Sequence, residues 1–176
     1  MTRRLLWLGC GAVTLGLWAQ SAGGIRWTPP SGWQAQPERP MRAATYRVPR
    51  AAGDGEDGEC AVFYFGAGQG GDVQSNIKRW IGQFELEGGK PAEKAAKITK
   101  ETIAGLPVTR IDLSGTYLAS AGPMAPRGAV RKPGFRLLGA IVEAPGGNVF
   151  FKFTGPAKTV AEAQGKFEAL IKSVKR

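Results

Sequence analysis

Hydrophobic and polar positions change rhythm several times along the chain. In MRAATYRV (41–48), Ala44, Tyr46 and Val48 occupy every second place, the period of a strand with one buried face. CAVFYF (60–65) is apolar on both faces, as a central strand must be when layers cover both sides of its sheet. The helical period follows. Val73, Ile77, Trp80, Ile81 and Phe84 come at steps of four, three, one and three behind Asp72 as N-cap, and GGKP (88–91) ends the segment. Residues 97–103 and 107–117 predict two strands joined at AGLP, with Ile111, Leu113 and Tyr117 on one face. FRLLGAIVE (135–143), APGG and NVFFKFTG (148–155) predict a hairpin. TVAEAQGKFEALIKSV (159–174) carries a stripe of Val160, Ala163, Phe167, Leu170, Ile171 and Val174, and Thr159 with Glu162 spells a capping box.

The intervals between these runs are rich in glycine and proline, 26 and 12 residues of 176, and predict turns. IRWTPPSGW (25–33) reads as a short strand, a Pro-Pro break and a core anchor at Trp33. RAAGDGEDGE (50–59) reads as a solvated acidic turn, without the twelve-residue spacing of a calcium loop. Residues 118–134, LASAGPMAPRGAVRKPG, read as a long polar connection. Three strands, a helix, four strands and a helix predict an α+β fold, a mostly antiparallel sheet flanked by helices.

Several of these features occur together in one superfamily. A W-x-P-x-x-x-W start at Trp27, a mid-chain helix, an antiparallel sheet, VFFKFTGP (149–156) and a terminal F-x-x-L-I-x-S at Phe167 resemble the PsbP-like superfamily, whose fold is shared with the Ran guanine-nucleotide release factor. The chain is also similar to short exported bacterial proteins of unassigned function in or near that group. The likeness runs from about Trp27 to Val174 and rests on core residues and turns. It implies α/β/α layers and a non-catalytic binding or assembly factor. PsbP itself belongs to photosystem II, and nothing in this sequence suggests that setting.

The amino terminus adds a compartment. Arg3 and Arg4, the apolar run LLWLGCGAVTLGLW (5–18) and the small residues of AQSAGG predict a signal peptide over residues 1–21, cleaved near Ser21 or Ala22. The run is too short and glycine-rich for a good membrane span. The arginine pair also fits a twin-arginine signal, but little chain precedes it. Cys10 as a lipidation site has the bulky Trp7 three places before it. Residues 22–176 then form one exported domain, periplasmic or secreted, with no transmembrane span. It keeps Cys60 alone, a buried and inert thiol in an apolar strand.

Charge then narrows the partners. The chain has 24 basic and 14 acidic residues, and losing Arg3 and Arg4 leaves 22 against 14, a net charge of +8. Such a domain attracts polyanions, and for an exported protein the partners at hand are envelope proteins or anionic envelope polymers. The chain has no histidine, which excludes Ser-His-Asp and Cys-His catalysis and histidine-held metals. A histidine-free enzyme would have to use carboxylates such as Asp112 and Glu143, although Arg110 shares the face of Asp112 and favours an ion pair.

Gly66, Gly68 and Gly71 spell G-x-G-x-x-G between an apolar strand and a helix. A dinucleotide turn needs the helix to begin inside that pattern, whereas the N-cap here is Asp72, whose charge opposes a phosphate. The glycines read instead as a connection needing positive φ, and no nucleotide or other cofactor is expected. Two groups remain as binding candidates. Asn76 and Arg79 lie off the helical stripe and beside the glycine loop, a recognition edge. Arg127, Arg131, Lys132 and Arg136 occur with no acid from Leu118 to Val142 and could meet a polyanion.

Overall fold

The computed structural model describes residues 20–120 and 129–176. The chain runs through β1 (Gln20–Ala22), β2 (Ile25–Trp27), β3 (Gln34–Ala35), β4 (Arg42–Val48), β5 (Gly58–Tyr64), α1 (Val73–Ile81), β6 (Phe84–Glu85), β7 (Lys97–Ile103), β8 (Leu106–Ser120), β9 (Ala129–Val142), β10 (Val149–Pro156) and α2 (Ala157–Lys172). β1 and β2 make a small hairpin. The other eight strands form one antiparallel sheet in the order β3-β4-β5-β10-β9-β8-β6, with β7 also on β8.

The sheet is covered from both sides, and β10 shows why. Its residues Val149, Phe151 and Phe153 point to the face under α2, while Phe150 points to the face under α1. Paired on both edges, by β5 and β9, this strand must bury both faces. The α2 layer packs Val160, Phe167, Leu170 and Ile171 against it, and the β1–β2 hairpin adds Ile25 and Trp27. Trp27 meets Phe151 edge-on at 5.2 Å and donates its indole N–H to the Tyr46 hydroxyl at 2.9 Å. Burial pushes that phenol up to about 12. On the opposite face, Trp80 of α1 packs close to the sheet because position 139 is glycine; a Cβ there would stand 2.5 Å from its ring. Cys60 is buried, as its strand pattern predicts.

Four expectations change. α1 ends at Ile81 with Gly82 as its C-cap, so Phe84 stands in β6 rather than on the helical stripe, and GGKP lies well beyond the helix end. The long connection is mostly strand, since β8 runs to Ser120 and β9 begins at Ala129. Cross-strand pairing of Tyr117 to Lys132, Leu118 to Arg131 and Ala119 to Val130 overrides the low strand propensity of that stretch. Next, the Thr159–Glu162 capping box does not form. α2 starts two residues earlier, behind Pro156, so Thr159 lies within its first turn and is buried. Lastly, the acidic turn is a bracket rather than a solvated loop. Asp54 accepts from the Thr159 amide at 2.9 Å and from its hydroxyl at 2.5 Å, while Thr159 Oγ1 accepts from the Ala51 amide at 3.0 Å. A carboxylate from 105 residues away thus caps α2 and meets the positive end of its dipole. Asp57 and Glu59 bind Arg47, Arg39 and Arg42.

Asp54→Ala should therefore cost about 1–2 kcal/mol of stability in a denaturant titration, the usual loss for a removed cap. Glu162→Ala, on the exposed side of α2, should stay within about 0.5 kcal/mol. Equal losses would restore the capping box.

Candidate functional site

α1 is only nine residues long and cannot roof its whole face of the sheet. Asp72 caps it, accepting from the Ser75 amide at 2.9 Å and the Ser75 hydroxyl at 2.6 Å. These bonds hold the carboxyl below its ordinary range. Ile77, Trp80 and Ile81 are buried beneath the helix. Beside it opens a cleft of about 350 Å³. Phe63 and Phe65 of the β5 side, Phe150 of β10 and Trp80 form its aromatic walls, Pro40 and Met41 its rim, and Arg79, Gln83 and Lys152 its polar groups. The Phe63 and Phe65 rings lie parallel at 6.2 Å, and Phe65 meets Phe150 edge-on at 5.7 Å. Met41 is 67 % exposed and has a φ of 62°, a conformation side chains seldom adopt and one concentrated at functional rims.

Lys152 is the one charged residue in an otherwise apolar central strand. Its register opposite Ala61 and Gly139 sends it to the α1 face, at the floor of the cleft. The ammonium donates to Gln83 Oε1 and, at 3.4 Å, to the Tyr117 hydroxyl, over whose ring it sits at 5.2 Å. Among the described residues no carboxylate forms a salt bridge with it. Glu59 is committed to Arg42 at 2.8 Å and Arg39 at 3.3 Å. Burial, with Arg79 and Arg42 beside it, lowers the Lys152 pKa to about 8 against the opposing pull of Glu59. Burial likewise raises the Tyr117 phenol.

A second depression of about 380 Å³, floored by Tyr117 and Phe135, differs in its charge. There Arg39, Arg47 and Lys132 face Glu56, Asp57 and Glu59, three cations for three acids. The first cleft is lined by two cations and no acid. Of these two, the first holds positive charge that its own lining leaves uncompensated.

The candidates named from the sequence divide around this cleft. Arg79 is exposed and lines it. Asn76 is 2 % exposed and does not form a recognition edge. Its Nδ2 donates to the carbonyls of Gly70 and Asp72 at 2.8 Å, and its Oδ1 accepts from Arg79. The glycine loop requires it: Gly66, Gly68, Gly70 and Gly71 all have positive φ, so the loop carbonyls lack ladder partners and one is met by Asn76. The helix starts beyond the loop, and β5 is antiparallel to both its neighbours, so the parallel strand of a dinucleotide turn is missing.

The basic group is dispersed. Arg131 pairs with Glu85, and Lys132 pairs with Glu56 and sits over the Phe135 ring at 5.3 Å. Arg136 reaches the opposite face, grips Asp112 with two bonds of 2.8 Å and donates to Gln164 of α2. These strand residues point apart, and Arg127 lies outside the described residues. The expected Arg110–Asp112 pair is replaced: Arg110 binds Glu101 and Glu168, because Arg136 on the neighbouring strand reaches Asp112 first. Asp112 lies opposite Leu138, while Glu143 follows the end of β9 with its amide on Pro107. Five strand residues separate them, roughly 17 Å, too far for a shared acid–base pair. Lys152 was missed. Its signal was a single lysine inside FFKF, a charge interrupting a run that is apolar on both faces.

No protein-family model and no curated protein matches the chain. Solved structures do. Cyanobacterial PsbP from Synechocystis sp. PCC 6803 is similar over 94 % of this chain and 95 % of its own, with a TM-score of 0.54 and 12 % identity. PA94, a Pseudomonas aeruginosa protein of unknown function, is similar over 88 % and 93 %, with a TM-score of 0.49 and 9 % identity. The likeness is one of fold: the chain has a PsbP-like α+β fold.

A lysine kept for stability and one kept for a ligand respond oppositely to removal. The folded pKa of Lys152 lies below its unfolded value, so folding disfavours the charged amine. That penalty is full below about pH 8 and vanishes as pH climbs toward about 10.4. Lys152→Met should raise the melting temperature at pH 7 by about 3 °C or more, and the difference should close by pH 10. A melting temperature that falls at pH 7 would make Lys152 a structural residue.

Proposed function

We propose that the protein is an exported, non-catalytic binding or accessory protein of the cell envelope, and that the cleft beside α1 is its binding seat. The observation that carries this reading is the charge of the lining: Lys152 and Arg79 stand among aromatic rings with no acid between them. A desolvated ammonium without a counter-ion is costly, and a binding protein retains it because the ligand completes it. The aromatic walls give the contact area that small-molecule and side-chain anchors use. The non-catalytic part of the proposal is supported by the absence of histidine from the chain and by the separation of Asp112 from Glu143. The basic start and the apolar run at residues 3–18 support export; β1 begins at Gln20, ahead of the cut expected near Ser21 or Ala22.

The alternative of a polyanion-binding module on the basic stretch is less well supported. Arg131, Lys132 and Arg136 are committed to Glu85, Glu56 and Asp112.

The test is a cross-linked pull-down of the exported protein and its Lys152→Met variant from the native envelope fraction, washed at low and high salt. A partner that survives high salt and is lost from the variant is the expected result. Capture of polymers alone, removed by salt from both proteins alike, would put the net charge in place of the cleft.

A further inference from the structure

We propose that the cleft binds a small amphipathic carboxylate, its head on Lys152 and Arg79 and its apolar body against Phe63, Phe65 and Phe150. This rests on the cleft being the binding seat and adds the chemistry of the occupant.

Three observations converge on that class. First, one of the two charges lies at the floor, while Arg79 is exposed at the edge. Lys152 projects from the central strand β10, whereas the β5 aromatics and Met41 lead outward to solvent. An occupant therefore enters anion first and leaves its apolar part between the rings. Second, the donors are few. The head would meet the Lys152 ammonium, the Arg79 guanidinium and the Gln83 amide, the polar side chains of the lining. Two carboxylate oxygens can be satisfied by that set. A phosphate or phosphonate brings a third polar oxygen, a P–OH or a second charge according to pH, into an aromatic cleft that offers nothing further, and a buried polar atom without a partner is penalised. Third, the size fits: about 350 Å³ is at the lower end of small-molecule sites, roughly 300–1,000 Å³, enough for a ring or medium chain carrying one head group. Lys152 loses its proton near pH 8, so affinity for the anion should fall above that pH.

Isothermal titration with 4-phenylbutanoate, 4-phenylbutanamide and 3-phenylpropylphosphonate distinguishes the possibilities. On the full protein near pH 6.5, the carboxylate should bind at least about tenfold more tightly than the amide or the phosphonate. Lys152→Met should reduce it to the level of the amide, Lys152→Arg should retain most of the affinity, and Arg79→Ala should weaken it several-fold. Raising the pH to about 9.5 should weaken wild type about tenfold and leave Lys152→Met unchanged. An amide that binds as well as the acid, a tighter phosphonate, or an acid indifferent to Lys152 and Arg79 would overturn the assignment. So would no binding of any probe; if an envelope partner still required Lys152, the cleft would remain the seat and only the carboxylate class would fall. Carboxylate binding through Lys152 with no partner lost from the variant would reverse that outcome.

Discussion

A strand that is apolar on both faces obliges the fold to place a layer on each side of the sheet, and β10 imposes that requirement here. One layer is ample. α2, sixteen residues and about 24 Å long, covers its face with the help of the β1–β2 hairpin. The other is short. α1 has nine residues, about 14 Å, against a width of roughly 19 Å for the five strands from β4 to β8. Ala92 and its neighbours cover part of the remainder, and the cleft opens beside α1. Gly139 lets Trp80 sit close to the sheet there.

Charge turns that gap into a site. Most cations near the sheet have acids beside them: Arg42 and Arg39 share Glu59, Lys132 takes Glu56, Arg136 takes Asp112. The acidic bracket at 50–59 supplies Asp54, Glu56, Asp57 and Glu59, and uses Asp54 for the start of α2. Lys152 has an amide and a phenol instead, partners that accept a hydrogen bond without neutralising charge. The cost of holding it there is of the order that separates stable from marginal domains. An arrangement that loses stability at a rim with strained backbone at Met41 has the character of a binding site.

Much of the architecture was legible in the pattern of residues. The alternation in 41–48, the two-faced run at 60–65, the stripe of α2, that of α1 as far as Ile81 and the cap at Asp72 are local signals, and the structure repeats them. Misreadings came where a distant residue decides. Thr159 looked like a cap because its true partner, Asp54, is remote in sequence. Residues 118–120 and 129–132 looked like loop because their strand character comes from pairing between β8 and β9. Asn76 looked exposed because the glycine carbonyl it serves belongs to no regular element. The basic stretch looked like a patch because pairing, which alternates its side chains between faces, is invisible along a line. The cleft itself needed the helix length, the sheet width and the register of β10 together, so only Arg79 among its polar groups was reachable from the sequence.

The central claim is that Lys152 carries a desolvated, uncompensated charge. Its direct measurement is an NMR titration of the lysine side-chain nitrogens in labelled protein, with Lys152→Arg to assign the resonance. Lys152 is expected to titrate near pH 8, well below an ordinary lysine, and to move upward when an anion occupies the cleft. A Lys152 that titrates near the ordinary value of about 10.4 would mean that water or an acid already satisfies it, and the cleft would lose its claim to be a site.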